Sequence, residues 1–139
     1  MVIMAFMASD PHRIFQTREI AEHTFIAPPT VSKLLKTLTK SKLLLSHRGT
    51  TGGYQLALTP NEITVAQLIK VLEGPIALTE CNLGHDHCPT QRSCAIRIPW
   101  LRINTVIISA LESIKLSDLV KQTFIVGVGE KYGNLLKRA

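Results

Sequence analysis

The chain has 139 residues and a mass of 15.4 kDa, with 16 Lys and Arg against 10 Asp and Glu and a formal net charge of +6. With 45% hydrophobic and 19% charged residues it is neither disordered nor fibrous, and it is long enough to bury a core without covalent staples. Three cysteines cannot all pair, which argues against a secreted disulfide scaffold and for metal, redox chemistry or plain burial in a reducing compartment.

The first segment, Met1 to Ala8, is apolar but too short to span a membrane and lacks the basic lead of a signal peptide. A soluble, cytoplasmic protein is expected. Val2–Ala8 reads as the end of a buried helix, stopped by Asp10-Pro11. Thr17 is placed to cap a short helix over Arg18–His23, and the chain then turns through Thr24–Ala27. Pro28 and Pro29 suit a helix's first turn, where their missing N–H groups cost nothing. This second helix should run to about Lys40. Val31, Leu34, Leu35 and Leu38 fall at i, i+3, i+4 and i+7 and make one apolar stripe. Thr30, Ser32, Lys33, Lys36 and Lys40 lie off it. Two short helices joined by a tight turn, the second basic on its free face, read as a helix-turn-helix.

Leu43–His47 reads as a strand. Arg48-Gly-Thr-Thr-Gly-Gly53 is a turn permitting positive φ and close backbone approach, and the alternation of Tyr54, Leu56 and Leu58 gives a second strand. A hairpin after a helix-turn-helix makes a winged helix. Its basic tip, Arg48, is where a wing would meet phosphate or a minor groove. Thr64-x-x-Gln67 is a capping box that starts a helix through Leu72, ended by Gly74-Pro75. Ile76–Pro99 is irregular. From about Trp100 to Lys115 the pattern is helical again, with apolar residues on more than one face. Such a helix is either buried in a core or half of a symmetric dimer interface, and in so small a domain the dimer is the economical reading.

Charge follows this organisation. Residues 23–61 contain Lys33, Lys36, Lys40, Lys42 and Arg48 but no carboxylate. By charge alone this is a solvated basic face or a nucleic-acid footprint; its coincidence with the helix-turn-helix and wing favours the footprint.

Every cysteine lies in the irregular stretch. Cys81, Cys88 and Cys94 form C-x6-C-x5-C, with polar neighbours that include His85, Asp86, His87 and Arg92. Free cysteines are usually core fillers, but this polar setting fits metal ligation better. Structural zinc sites favour tighter knuckles. An iron–sulfur cluster also takes thiolates, sometimes with a nitrogen or oxygen ligand on one iron. Spacing alone leaves both open. The sequence offers no assignable catalytic triad, phosphate-binding glycine loop or carboxylate pair, so no enzyme is expected.

The order PTVSKLLKTL, SHRGTTGGYQLA, ITVAQLIKVLEGPIALTEC, three cysteines, then RIPWLRINTVI resembles the winged-helix transcription regulators typified by IscR and NsrR, in particular the branch of SUF-system iron–sulfur assembly regulators. The match covers roughly residues 1–120. The resemblance implies a mostly α fold with a small β-hairpin wing and a long dimerisation helix. It divides the chain into a winged helix-turn-helix (1–75, its first helix shortened), a cysteine loop (76–99), a dimerisation helix (100–116) and a tail (117–139). It implies a cytosolic homodimer, a pseudo-palindromic double-stranded DNA operator, and an iron–sulfur cluster whose state sets DNA affinity. For the cluster the branch places [2Fe–2S] ahead of [4Fe–4S]. By position, Cys81, Cys88 and Cys94 match the cluster cysteines. Thr30, Ser32, Lys33 and Lys36 match the recognition helix. Arg48, Gly52, Gly53 and Tyr54 match the wing, with Arg48 on the residue that enters the minor groove.

Three departures from the family pattern stand out. Relatives begin earlier in their first helix, and some draw a non-cysteine ligand from that leading segment. Others use a histidine three residues after the third cysteine, where this chain has Arg97, which as a cation cannot ligate. The fourth ligand is therefore His85, His87 or a residue of the leading segment. Finally, Lys42 stands where relatives often have the glycine that ends the recognition helix, so a different helix end is expected here. The alternative to a cluster-sensing regulator is a zinc-stabilised winged-helix interaction module.

Overall fold

The computed structural model describes residues 1–49, 52–83 and 93–120, for Cys81 the backbone alone. The chain divides into two compact units, Met1–Ile63 with the described part of Lys115–Ala139, and Thr64–Ile114.

The first unit is mostly helical with one hairpin. Its helices are α1 (Val2–Met7), α2 (Thr17–Thr24), α3 (Pro28–Lys40) and, after the second unit, the short α6 (Leu116–Val120). Strands β1 (Leu44–His47) and β2 (Gly53–Leu56) pair antiparallel, Leu44 opposite Leu56 and His47 opposite Gly53. α1 packs on α2 and α6, α2 on α3, and α3 on β1. Met4, Met7, Phe15, Ile20, Leu35 and Leu44 are almost fully buried. The Phe6 ring meets Phe15 edge-on at 5.1 Å and lies against the His23 ring at 4.3 Å.

α3 has the bounds its sequence implies. Pro28 occupies N1, and Val31, Leu35 and Leu38 are buried while Leu34 is only half covered. α2 begins one residue earlier than expected. Thr17 is its first residue, and Gln16 stands at the cap without a side-chain bond.

The end of α3 corrects an expectation. Lys42 adopts the left-handed conformation (φ 61°) that glycine would otherwise supply. The Lys42 N–H donates to the Thr39 carbonyl at 3.0 Å and the Leu43 N–H to the Leu38 carbonyl at 3.0 Å. This is the ordinary two-bond helix ending, and Leu43 and Leu38 are both buried beside it. Satisfied carbonyls and two buried leucines outweigh the ~1–2 kcal/mol that a left-handed lysine costs.

The second unit contains α4 (Val65–Leu72), a single 3-10 turn (Glu80–Asn82) and α5 (Arg97–Ser113). The capping box of α4 is formed. The Gln67 N–H donates to Thr64 Oγ1 at 3.0 Å, and the Thr64 N–H donates to Gln67 Oε1 at 3.3 Å. α5 starts three residues before Trp100 because Pro99 falls in its first turn, where no N–H is needed. It stops at Ser113, because Ile114 is extended (ψ 124°). α4 and the 3-10 turn both pack on α5.

Candidate nucleic-acid interface and metal centre

The helix-turn-helix is α2, a short turn and α3. α2 ends at Thr24 and is followed at its cap by Phe25, whose backbone is left-handed (φ 55°) and whose side chain is 96% exposed. The turn is then closed by the Ala27 carbonyl, which accepts from the Thr30 and Val31 N–H groups. Burial of Val31, Leu35 and Leu38 turns the opposite side of α3 outward. Thr30, Lys33, Lys36 and Lys40 are exposed there and Ser32 is half-buried. The ion pairs among the described residues are Arg13–Glu19 at 2.7 Å and Arg18–Glu22 at 2.8 Å. Neither involves Lys33, Lys36, Lys40, Lys42 or Arg48, so among the described residues these cations carry no paired carboxylate. Unpaired cations on one helix face and at an adjoining wing are what phosphate binding requires.

The wing is tied to the chain between α1 and α2. Arg48 is exposed directly after β1, and Gly49 follows with a φ of +111° that glycine tolerates best. Thr50 and Thr51 lie outside the described residues. Gly52 and Gly53 have an internal reason to lack side chains. A Cβ on Gly52 would stand 2.4 Å from the His47 carbonyl oxygen, and one on Gly53 2.4 Å from that of Phe15. Tyr54 is half-buried and exchanges two backbone hydrogen bonds with Phe15, at 2.8 and 2.9 Å. The segment around Phe15 thus adds a one-residue bridge to the hairpin. Gln55 donates to the His12 carbonyl at 2.8 Å and contacts His47 Nε2 at 3.0 Å. Because the Gln55 amide nitrogen is used on His12, its oxygen accepts and His47 Nε2 donates. Sequence reasoning missed these ties, since a bridge of one residue leaves no alternation to read.

The cysteine stretch is only partly described. Cys81 lies in the 3-10 turn packed on α5. Cys94 is a half-buried free thiol, and its carbonyl accepts from the Arg97 N–H at 3.3 Å. Cys88, His85 and His87 lie outside the described residues. Among the described residues no three His, Cys, Asp or Glu side chains converge. One observation bears on what the stretch would hold. Arg97 Nε is buried and has no hydrogen-bond partner among the described residues. An unpaired guanidinium N–H three residues from Cys94 suits a negatively charged centre, as thiolate-ligated metals are. The donor set and this orphan donor fit an iron–sulfur cluster, with Arg97 able to donate to it but not to ligate it.

Sequence reasoning also missed Asn104, the buried polar residue of α5. It accepts from the Leu78 N–H at 3.0 Å and donates to the Ile76 carbonyl at 3.1 Å. Its signal was an asparagine inside an apolar helical run.

Residues 1–122 match the Rrf2 family, described as iron-dependent transcriptional regulators. The chain belongs to the Rrf2 family. Within it, the chain is 33% identical over 105 residues to the transcriptional regulator NsrR of Oceanobacillus iheyensis, covering 75% of this chain and 71% of that protein. It is 34% identical over 110 residues to the transcriptional regulator CymR of Bacillus subtilis, covering 79% and 70%. Among solved structures, the global cysteine regulator CymR of B. subtilis superposes with a TM-score of 0.66 at 31% identity, covering 86% of this chain and 88% of that one. IscR of T. potens gives 0.66 at 29%, covering 88% and 80%. This Rrf2 protein is thus a winged-helix, DNA-binding transcription regulator and not an enzyme. No helix among its described residues is long and apolar enough to cross a membrane.

Proposed function

We propose that this Rrf2 regulator is a cytoplasmic homodimer whose operator affinity is set by an iron–sulfur cluster held by Cys81, Cys88 and Cys94, and that it controls iron–sulfur assembly genes. The observation that carries the cluster reading is the three-cysteine stretch followed, three residues after Cys94, by Arg97, whose buried Nε has no partner among the described residues. The cluster is [2Fe–2S] ahead of [4Fe–4S], with a fourth ligand from His85, His87 or a leading segment. When bound, it supplies a redox-active and oxidant-sensitive anionic centre.

Thr30, Ser32, Lys33 and Lys36 enter the major groove, and Arg48 reaches the adjacent minor groove from a wing shaped by Gly52, Gly53 and Tyr54. The dimerisation helix of residues 100–116 corresponds to α5. In support, Ile98, Ile103 and Val106 are 62%, 45% and 60% exposed in the single chain. Ile103, Val106 and Ala110 also follow one another at the three- and four-residue steps of a helix–helix seam, and Ile96, at the cap of α5, stands seven residues before Ile103. Two-fold symmetry then requires a pseudo-palindromic operator with half-sites about one helical turn apart.

The test is the visible spectrum of protein purified without air. Sulfur-to-iron absorption is expected, together with stoichiometric iron and sulfide. A colourless protein holding one zinc would contradict the cluster and favour the zinc-stabilised interaction module. That module would in addition show no salt-dependent DNA binding, the slope of log affinity against log salt lying near zero.

A further inference from the structure

Asn104 is the buried polar residue among those described, at 5% exposure in the middle of α5. A buried amide is costly unless both its ends are hydrogen-bonded. Here both are, and both partners are backbone groups of one short segment, Ile76 and Leu78. That segment belongs to neither helix nor strand, so it has no ladder of its own to satisfy these groups. The task needs an acceptor and a donor in one planar group of this length. Leucine has neither, and aspartate as an anion has no donor.

The position of the tie matters more than its strength. Leu78 stands three residues before Cys81, and α5 begins three residues after Cys94. Asn104 therefore fastens the chain entering the cysteine stretch to the helix that leaves it. The 3-10 turn carrying Cys81 packs on that same helix. Drawing Cys81 and Cys94 to one centre requires closing the chain between them, and a tie outside both cysteines reduces the entropy lost when a metal does so.

We propose that Asn104 is a positioning residue for the metal centre, a clasp across the base of the cysteine loop that pre-organises its thiolates for capture. This rests on the reading that the three cysteines hold a metal centre, and the test separates the two. The full-length protein is freed of metal under reducing, air-free conditions and titrated with Co(II), whose thiolate-to-metal absorption reports bound cysteines. Asn104→Leu is expected to weaken Co(II) binding by about tenfold or more, the scale seen when supports of metal ligands are removed, with the same absorption at saturation and an unchanged far-UV spectrum. Asn104→Asp, which keeps the acceptor alone, should fall between. Equal affinity in all three proteins would overturn the clasp and leave the cysteine centre standing. No thiolate absorption in the unsubstituted protein would overturn both. A measurement without substitution guards against a variant that fails to fold. The Leu78 amide must exchange with deuterium much more slowly than an unstructured amide, and free exchange would equally overturn the proposal.

Discussion

Gly53 lies so close to Phe15 that a Cβ added to it would stand 2.4 Å from the Phe15 carbonyl oxygen. The close approach is what allows Tyr54 and Phe15 to exchange their two hydrogen bonds. It fixes the root of the wing to the chain between α1 and α2. Gly53→Ala should therefore destabilise the first unit by about 1–3 kcal/mol, the usual cost of forcing atoms into a packed site. The check is a denaturant midpoint. A stability equal to that of the unsubstituted protein would mean that the bridge gives way without cost.

Lys42 and Phe25 are the two non-glycine residues with left-handed backbones among those described. A left-handed L-residue costs ~1–2 kcal/mol, while glycine's extra freedom in the unfolded chain returns ~0.4–1. Lys42→Gly should thus stabilise the fold by roughly 0.5–1 kcal/mol, and Phe25→Gly by a similar amount. Thermal unfolding at fixed pH measures both. A lower midpoint for Lys42→Gly would show that the lysine stem contributes packing that its exposed position does not suggest.

On the DNA side the two kinds of contact separate by salt. Arg48→Ala, if the residue reads a groove, should cost about 1–3 kcal/mol on the specific site. Lys33→Ala or Lys36→Ala, if these meet phosphate, should weaken all sequences alike and lower the salt slope by about one. Affinity titrations at several salt concentrations distinguish them. A groove reader that changes only the slope would move Arg48 into the phosphate class.

Glu62 offers a pH test away from the site. Its carboxylate accepts from the Thr59 hydroxyl at 2.7 Å and the Thr59 N–H at 2.8 Å. The hydroxyl first, then the backbone N–H, hold the Glu62 pKa below its ordinary value. A depressed pKa means that the contribution is present above the unfolded pKa and is lost as pH falls through the folded one. An NMR titration should place the Glu62 midpoint below that of an unhindered glutamate, and Thr59→Val should move it upward. A midpoint indifferent to Thr59→Val would contradict the hydroxyl's role.

The sequence made α3 legible because three independent signals agree there: prolines at the start, one apolar stripe, and cations off it. The Thr64 capping box was legible for the same reason, being local. What escaped was non-local or was overridden. The Phe15 bridge joins residues far apart in sequence through single backbone groups, and backbone pairing of that kind leaves no side-chain pattern. Lys42 violates the glycine preference, and burial of Leu38 and Leu43 decides the conformation. Pro99 looked like a boundary but sits inside the first turn of α5, where proline is harmless. Asn104 was visible as a polar residue in an apolar run, but its partners could not be read from spacing. In the site, the basic face and wing followed from local pattern. The cysteines were found by their clustering, whereas the unpaired Arg97 Nε became visible only once the fold had buried it.

The central claim is that cluster state sets DNA affinity. It is tested most directly by titrating one air-free preparation, before and after removal of its cluster, onto a duplex selected from a random-sequence pool, at one salt concentration. The two affinities are expected to differ by at least about fivefold, the lower end of ordinary coupling between sites. Equal affinities for the loaded and cluster-free protein would contradict it.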